Sequence, residues 1–202
     1  LIGEHIPAAQ VIGAATDREA AGVVYGYASH MVKGNDKLLA RLKPVDSRKA
    51  LHGRNSARLY RVVSAEAKRS HGFHPNWVLF DELHTQPNRN LYDVLNTSQR
   101  SIPNSMLMGI TTAGFDRQSL CWDLWTRALA ACQDRSQAPS LLAAIYAAED
   151  GDDIEDPAVW KKANPSYCDC RGVAEVCPIH SITRDKLVQE IAEAKRSQFE
   201  MN

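Results

Sequence analysis

The sequence of 202 residues predicts an α/β fold, a mostly parallel sheet with helices on both faces. Two observations predict it. Short unbroken apolar runs, such as Val78-Leu79-Phe80 and Met106-Leu107-Met108-Gly109-Ile110, read as strands buried on both sides. Segments with apolar residues at helical spacing separate such runs, and strands that alternate with helices build parallel sheets.

Taken in order, Ala9 through Ala15 reads as a first strand made of small residues. Thr16 or Asp17 caps a helix that runs to about Val32, with Glu19 near its electropositive first turn. Gly34-Asn35-Asp36 stops that helix. From Leu39 to Ala65 the pattern shortens and alternates through Leu42, Val45, Leu51, Leu59, Tyr60, Val62 and Val63, which predicts strands or hairpins. Ser64 to Phe73 is a charged connector, broken at Gly72. After the strand at Val78 to Phe80, residues Asn88 to Gln99 predict a helix with Leu91, Val94 and Leu95 on one face. Met106 to Ile110 is the next strand. Phe115 to Cys132 is a long amphipathic helix with Leu120, Leu124, Trp125 and Leu129, and Leu141 to Ala147 reads as a further strand. The texture changes after Glu149: an acidic loop, a segment from Pro157 to Pro165, a cysteine-bearing stretch, and a charged helix from Thr183 to about Phe199. A boundary near Asp150 divides a main domain, 1–150, from a small helical linker region, 151–202.

Bulk properties exclude some classes. The chain is 44% hydrophobic and 24% charged, ordinary for a globular protein and long enough to bury a core. Twenty-four basic and twenty-four acidic residues cancel, so no global field draws it to nucleic acid. Local bias remains: Lys33 to Arg69 is basic and Glu149 to Asp156 acidic. No stretch reaches the ~18 apolar residues of a membrane span. Glu4 and His5 interrupt the N-terminus, which has no initiator Met and starts in mid-pattern, so the expectation is a piece of a longer protein. Five cysteines, an odd number, argue against a secreted disulfide scaffold and for a reducing cytosol.

Chemistry concentrates at two strand ends. The run Asn76-Trp77-Val78-Leu79-Phe80 stops at Asp81-Glu82, and the run ending at Ile110 stops at Thr111-Thr112-Ala113-Gly114. Adjacent carboxylates after a strand are often only solvated, and a Thr after a strand often only caps a helix. Together the motifs fit a nucleoside triphosphatase of the strand-Asp-Glu type. Asp81 would serve Mg²⁺ on the nucleotide, Glu82 would polarise the attacking water, and the hydroxyls of Thr111 and Thr112, with Gly114, would sense the γ-phosphate. The phosphate cradle of such a site, Gly-x-x-x-x-Gly-Lys-[Ser/Thr], is not found between Leu1 and Asn202.

Val78-Leu79-Phe80-Asp81-Glu82-Leu83-His84, Leu91-Tyr92-Asp93-Val94-Leu95, Ser98-Gln99-Arg100 and Ile110-Thr111-Thr112-Ala113-Gly114 together resemble the large terminase subunit of tailed bacteriophages. Ala14-Ala15-Thr16-Asp17-Arg18-Glu19-Ala20 resembles the strand and helix that follow the family's P-loop, and Trp160-Lys161-Lys162-Ala163-Asn164-Pro165-Ser166 its segment after the ATPase core. The resemblance implies a P-loop NTPase-like sheet truncated at its N-terminus, in an ATP- and Mg²⁺-dependent motor that packages double-stranded viral DNA into procapsids. It implies a ring of copies, a small terminase subunit and a portal protein as partners, no membrane, and the host bacterial cytoplasm as location. It places the P-loop upstream of Leu1 and a nuclease downstream of Asn202, so the segment alone is expected neither to hydrolyse ATP nor to cut DNA. Loss of the P-loop strand from mid-sheet would leave unpaired edges.

The same resemblance makes Arg69 a candidate for an arginine acting on a neighbouring subunit's phosphate, with Lys68 and Arg100 as rivals. The bland reading is a solvated charge in a basic connector. Cys168, Cys170, Cys177 and His180 form C-x-C-x6-C-x2-H, four soft ligands in reach of a structural Zn²⁺, although C-x-C is tighter than the usual finger spacing; the bland reading is a loop with incidental thiols. Cys121 and Cys132 read as core or boundary residues, Trp122 and Trp125 as core or interface aromatics, and His71, His74 and His84 as solvated. Two other readings stand beside the motor: a helicase-like P-loop ATPase, and a non-catalytic prophage remnant with a zinc site.

Overall fold

The computed structural model describes residues 6–65, 72–112, 114, 116–168 and 182–200. It divides into two compact units, 1–127 and 128–202. The division falls inside a helix, not at the acidic loop near Asp150.

The first unit holds a six-stranded sheet. Its strands are β1 (Gln10–Ala15), β2 (Leu42–Val45), β3 (Ala50–Gly53), β4 (Leu59–Ser64), β5 (Trp77–Phe80) and β6 (Met106–Gly109), in the order β2-β3-β4-β1-β5-β6. β4, β1, β5 and β6 run parallel, with Ile12 opposite Val78 and Leu79 opposite Met108. β2, β3 and β4 form the antiparallel meander that the alternating pattern predicts. The sheet is therefore mixed, with its parallel half carrying the two polar strand ends.

Helices cover both faces. α1 (Arg18–Lys33) starts at Asp17, whose carboxylate accepts from the N–H groups of Glu19 and Ala20 at 2.8 Å each. This settles the Thr16-or-Asp17 choice in favour of Asp17. α1 packs Tyr25 and Val32 on Leu51, Tyr60 and Val62. Gly13 makes room on that face, since a Cβ there would lie 3.0 Å from the Tyr60 hydroxyl. A short helix, α2 (Asp36–Leu39), follows. On the opposite face α3 (Asn90–Ser98) buries Leu91 and Leu95 against Ile12, Ala14, Val78 and Phe80, and Leu120 of α4 (Leu120–Gln133) joins them. α4 begins at Leu120 instead of Phe115.

β6 has β5 on one side and, among the described residues, no strand on the other. Its Met108 is 44% exposed and the following Ile110 60%. An open apolar edge of this kind is a site for pairing with another strand.

In the second unit, α5 (Pro157–Ala163) is capped by Asp156 and buries Trp160, whose ring meets Tyr167 edge-on at 6.0 Å. β7 (Tyr167–Cys168) and β8 (Ile182–Thr183) form a two-residue parallel pair, and α6 (Arg184–Glu200) follows. The strand expected at Leu141 to Ala147 is not formed. Residues 141–149 have no regular structure, and Leu142 and Tyr146 are 83% and 61% exposed. Apolar alternation alone is insufficient for a strand; a ladder partner must also be present. No helix among the described residues is long and apolar enough to cross a membrane.

Candidate functional site

The site lies where β5 and β6 end. Apolar side chains anchor one face of β5: Val78 and Phe80 are buried to 0% and 1% exposure, and the Phe80 ring sits 5.7 Å from that of Tyr92. The chain then leaves the core abruptly. The Asp81 N–H donates to the Ala14 carbonyl at 3.2 Å, the Ile110 N–H to the Phe80 carbonyl at 2.9 Å, and the Leu83 N–H to the Ile110 carbonyl at 3.2 Å. These bonds carry the ladder one step past both strands. Asp81-Glu82 and Thr111-Thr112 therefore emerge side by side, and all four are exposed.

Asp81 has no hydrogen-bond or ion-pair partner for its carboxylate among the described residues. Glu82 adopts the left-handed region, φ 49° and ψ 55°. That conformation costs a residue with a Cβ about 1–2 kcal/mol, and such positions cluster where function requires a fixed aim. The turn is pinned by Thr85, whose N–H and hydroxyl both donate to the Glu82 carbonyl, at 2.9 and 2.8 Å. With its proton so used, the Thr85 oxygen accepts from the Thr16 hydroxyl at the end of β1.

His84 ties the two motifs together. Its Nδ1 lies 3.1 Å from Glu82 Oε2, 3.0 Å from Thr111 Oγ1 and 3.5 Å from Thr112 Oγ1. Its backbone N–H donates to Thr111 Oγ1 at 3.0 Å. The close approach of the segment after β6 needs Gly114, since a Cβ there would sit 3.3 Å from His84 Cβ. The sequence alone reads His84 as a solvated loop residue; it is instead the contact between the acidic pair and the hydroxyl pair.

At the far end of the same strands, the buried Gln99 amide reaches three carbonyl oxygens, of Met106 at 3.0 Å, Pro75 at 3.2 Å and Asn76 at 3.3 Å. It clamps the starts of β5 and β6. A sequence signal for it existed: Leu91, Leu95 and Gln99 share one helical stripe, so the amide falls where an apolar residue belongs.

Most of the remaining candidates fall outside the described residues. Arg69 and Lys68 lie outside the described residues, and Arg100 is exposed just past α3. Cys170, Cys177 and His180 lie outside the described residues as well. Cys168 is disulfide-bonded, and a sulfur so held is not a thiolate ligand for zinc. Among the described residues no group of three or more His, Cys, Asp or Glu side chains is placed to hold a metal. Cys121 is partly buried, whereas Cys132 is exposed; Trp122 lies under the Arg117 guanidinium, 5.2 Å from its ring centre.

A family profile for the terminase large subunit, ATPase domain, matches residues 1–128. The large terminase subunit of Enterobacteria phage HK97 is 29% identical over 169 residues, which are 82% of this chain and 32% of that protein. Protein YmfN of Escherichia coli K12 is 30% identical over 95 residues, 47% of this chain and 21% of that protein. The chain thus spans about a third or less of the curated relatives' length. In structure, the HK97 large terminase superposes with a TM-score of 0.78 at 26% identity, covering 99% of this chain and 39% of that one. The ATPase domain of a Thermus phage large terminase shares the fold, with a TM-score of 0.50 at 14% identity over 62% of this chain and 55% of that one.

Proposed function

The chain belongs to the ATPase-domain family of terminase large subunits, and from that premise we infer that it supplies the hydrolytic strand ends of an ATP-driven motor that packages double-stranded viral DNA into procapsids. The observation that carries this reading is the paired exit of Asp81-Glu82 and Thr111-Thr112 from neighbouring parallel strands.

Asp81 fits a Mg²⁺ ion held on a nucleotide. Its oxygens are hard, exposed and without a partner among the described residues, and such an ion needs only one or two carboxylates besides phosphate oxygens and water. When bound, the ion neutralises charge on the phosphates. Glu82, aimed by its left-handed turn, accepts a hydrogen bond from the attacking water and orients it. Thr111 and Thr112 present hydroxyls to the γ-phosphate, and Gly114 keeps that segment close. The phosphate cradle is not part of these 202 residues, so by themselves they turn over no ATP. The motor works as a ring of copies with a small terminase subunit, a portal protein and viral DNA as partners, in the host cytoplasm, and Arg69 is the candidate for the arginine supplied to a neighbouring subunit's nucleotide. The helicase-like reading shares the acidic pair and ranks below because the family match is to terminases.

The test separates the two carboxylates. In a protein that joins this segment to a Gly-x-x-x-x-Gly-Lys-[Ser/Thr] loop, Asp81→Asn should weaken Mg²⁺-dependent nucleotide binding at least ~10-fold, in line with the loss of a metal-site group. Glu82→Gln should bind nucleotide as the parent does. Equal binding by all three proteins refutes the assignment of Asp81.

A further inference from the structure

His84 is the one side chain among the described residues that touches both motifs, and hydrogen-bond accounting fixes what it does there. The Thr111 hydroxyl donates to the Thr112 carbonyl at 3.0 Å and accepts from the His84 backbone N–H, so its proton is already engaged. With the hydroxyl proton on the Thr112 carbonyl, the 3.0 Å contact between Thr111 Oγ1 and Nδ1 is favourable when the ring proton sits on Nδ1. The same proton faces Glu82 Oε2 at 3.1 Å. A lone pair on Nδ1 would instead oppose the carboxylate. One N–H therefore serves two acceptors on two strands.

We propose that His84 is a positioning residue that shares its single Nδ1 proton between Glu82 and Thr111, so that the aim of the water-polarising carboxylate depends on the hydroxyl at the neighbouring strand end. When Thr111 turns toward a phosphate, the N–H passes wholly to Glu82 and holds it. When Glu82 swings out, the N–H passes to Thr111. The coupling needs no motion of either strand, only a change in how one proton is shared.

The proposal rests on the ATPase reading for its purpose but not for its test. The full chain, labelled with ¹⁵N-histidine, is studied at alkaline pH by long-range nitrogen–proton correlation, which reports the tautomer of a neutral ring. The His84 signals are identified by their loss in His84→Asn. In the parent chain Nδ1 should carry the proton and Nε2 should show a free lone pair. Glu82→Ala and Thr111→Val should each shift the Nδ1 signal, because each removes one of the two close acceptors and leaves Thr112 Oγ1 farther off at 3.5 Å. The double variant should move the proton to Nε2. Both acceptors are at exposed positions, and the parent tautomer alone decides if a variant fails to fold. A proton on Nε2 in the parent, a single variant with unmoved His84 signals, or a double variant that keeps Nδ1–H would each overturn the proposal. No nucleotide is needed, so this result stands apart from the fate of the ATPase reading, which turnover in Glu82→Gln decides.

Discussion

Replacing Gln99 with methionine should loosen the base on which both functional strands stand. Gln99 is 6% exposed, and its amide nitrogen faces the carbonyl oxygens of Met106, Pro75 and Asn76 at 3.0, 3.2 and 3.3 Å. Two amide hydrogens can satisfy two of the three at a time. The Asn76 carbonyl also receives the Met106 N–H at 2.9 Å, so it keeps a partner. Methionine preserves volume and removes the donors, which isolates the polar loss from cavity formation. An orphaned buried carbonyl costs about 1–3 kcal/mol, so for the Met106 and Pro75 carbonyls together the expected loss is about 2–6 kcal/mol. For a chain of this size each kcal/mol lowers Tm by about 2–4 °C. Urea unfolding should show a lower midpoint with an unchanged slope. Gln99→Glu tests the clamp through pH. A carboxyl facing three carbonyl oxygens holds its proton more tightly when folded, so its folded pKa rises above the ordinary ~4.3. The variant is most stable below that ordinary value. Its stability falls as pH rises toward the folded pKa, by about 1.4 kcal/mol for each pH unit that separates the two values. A Gln99→Met midpoint equal to the parent's, or a Gln99→Glu variant whose stability relative to the parent does not change with pH, would refute the clamp.

Two further outcomes follow from the same structure. Burial pushes the Tyr60 hydroxyl up to about 12, so ultraviolet titration should show a tyrosine that ionises near that value, and stability should fall as pH rises through the ordinary tyrosine value of about 10; Tyr60→Phe should move that alkaline loss to higher pH. Glu82→Gly should stabilise the fold by roughly 0.5–1 kcal/mol, because it removes a left-handed penalty of about 1–2 kcal/mol while adding about 0.5–1 kcal/mol of unfolded-chain freedom. Glu82→Val, β-branched at the same φ, should destabilise it, and urea midpoints in the reverse order would show that the turn is not strained.

Strands β1 and β5 and helices α1 and α3 were legible in the sequence because burial leaves unbroken apolar runs in strands and one apolar stripe on helices; β6 carries the same kind of run, yet among the described residues it is a half-exposed edge strand and not the strand buried on both sides that its run predicts. The position of Asp81-Glu82 and Thr111-Thr112 at neighbouring strand ends was legible for a related reason: an apolar run that stops at polar residues marks the place where a strand ends. Leu141 to Ala147 misled because its alternation satisfies the strand pattern without naming a partner strand, and pairing is a property of two segments. Gln99 and His84 show the same limit at the level of side chains. The Gln99 amide on an apolar stripe signalled burial but not its three acceptors, which come from residues 75, 76 and 106. His84 sits beside Glu82 in sequence, yet its role depends on Thr111, which only the β5–β6 register brings within 3.0 Å.

Phosphate release measures most directly whether Glu82 activates the water that attacks ATP. In a protein joining this segment to its phosphate-binding loop, assayed with Mg²⁺ and DNA, Glu82→Gln should lower turnover by about 10²-fold or more while nucleotide binding is kept, as expected when a positioned base is removed. Turnover near the parent's in Glu82→Gln would contradict that role.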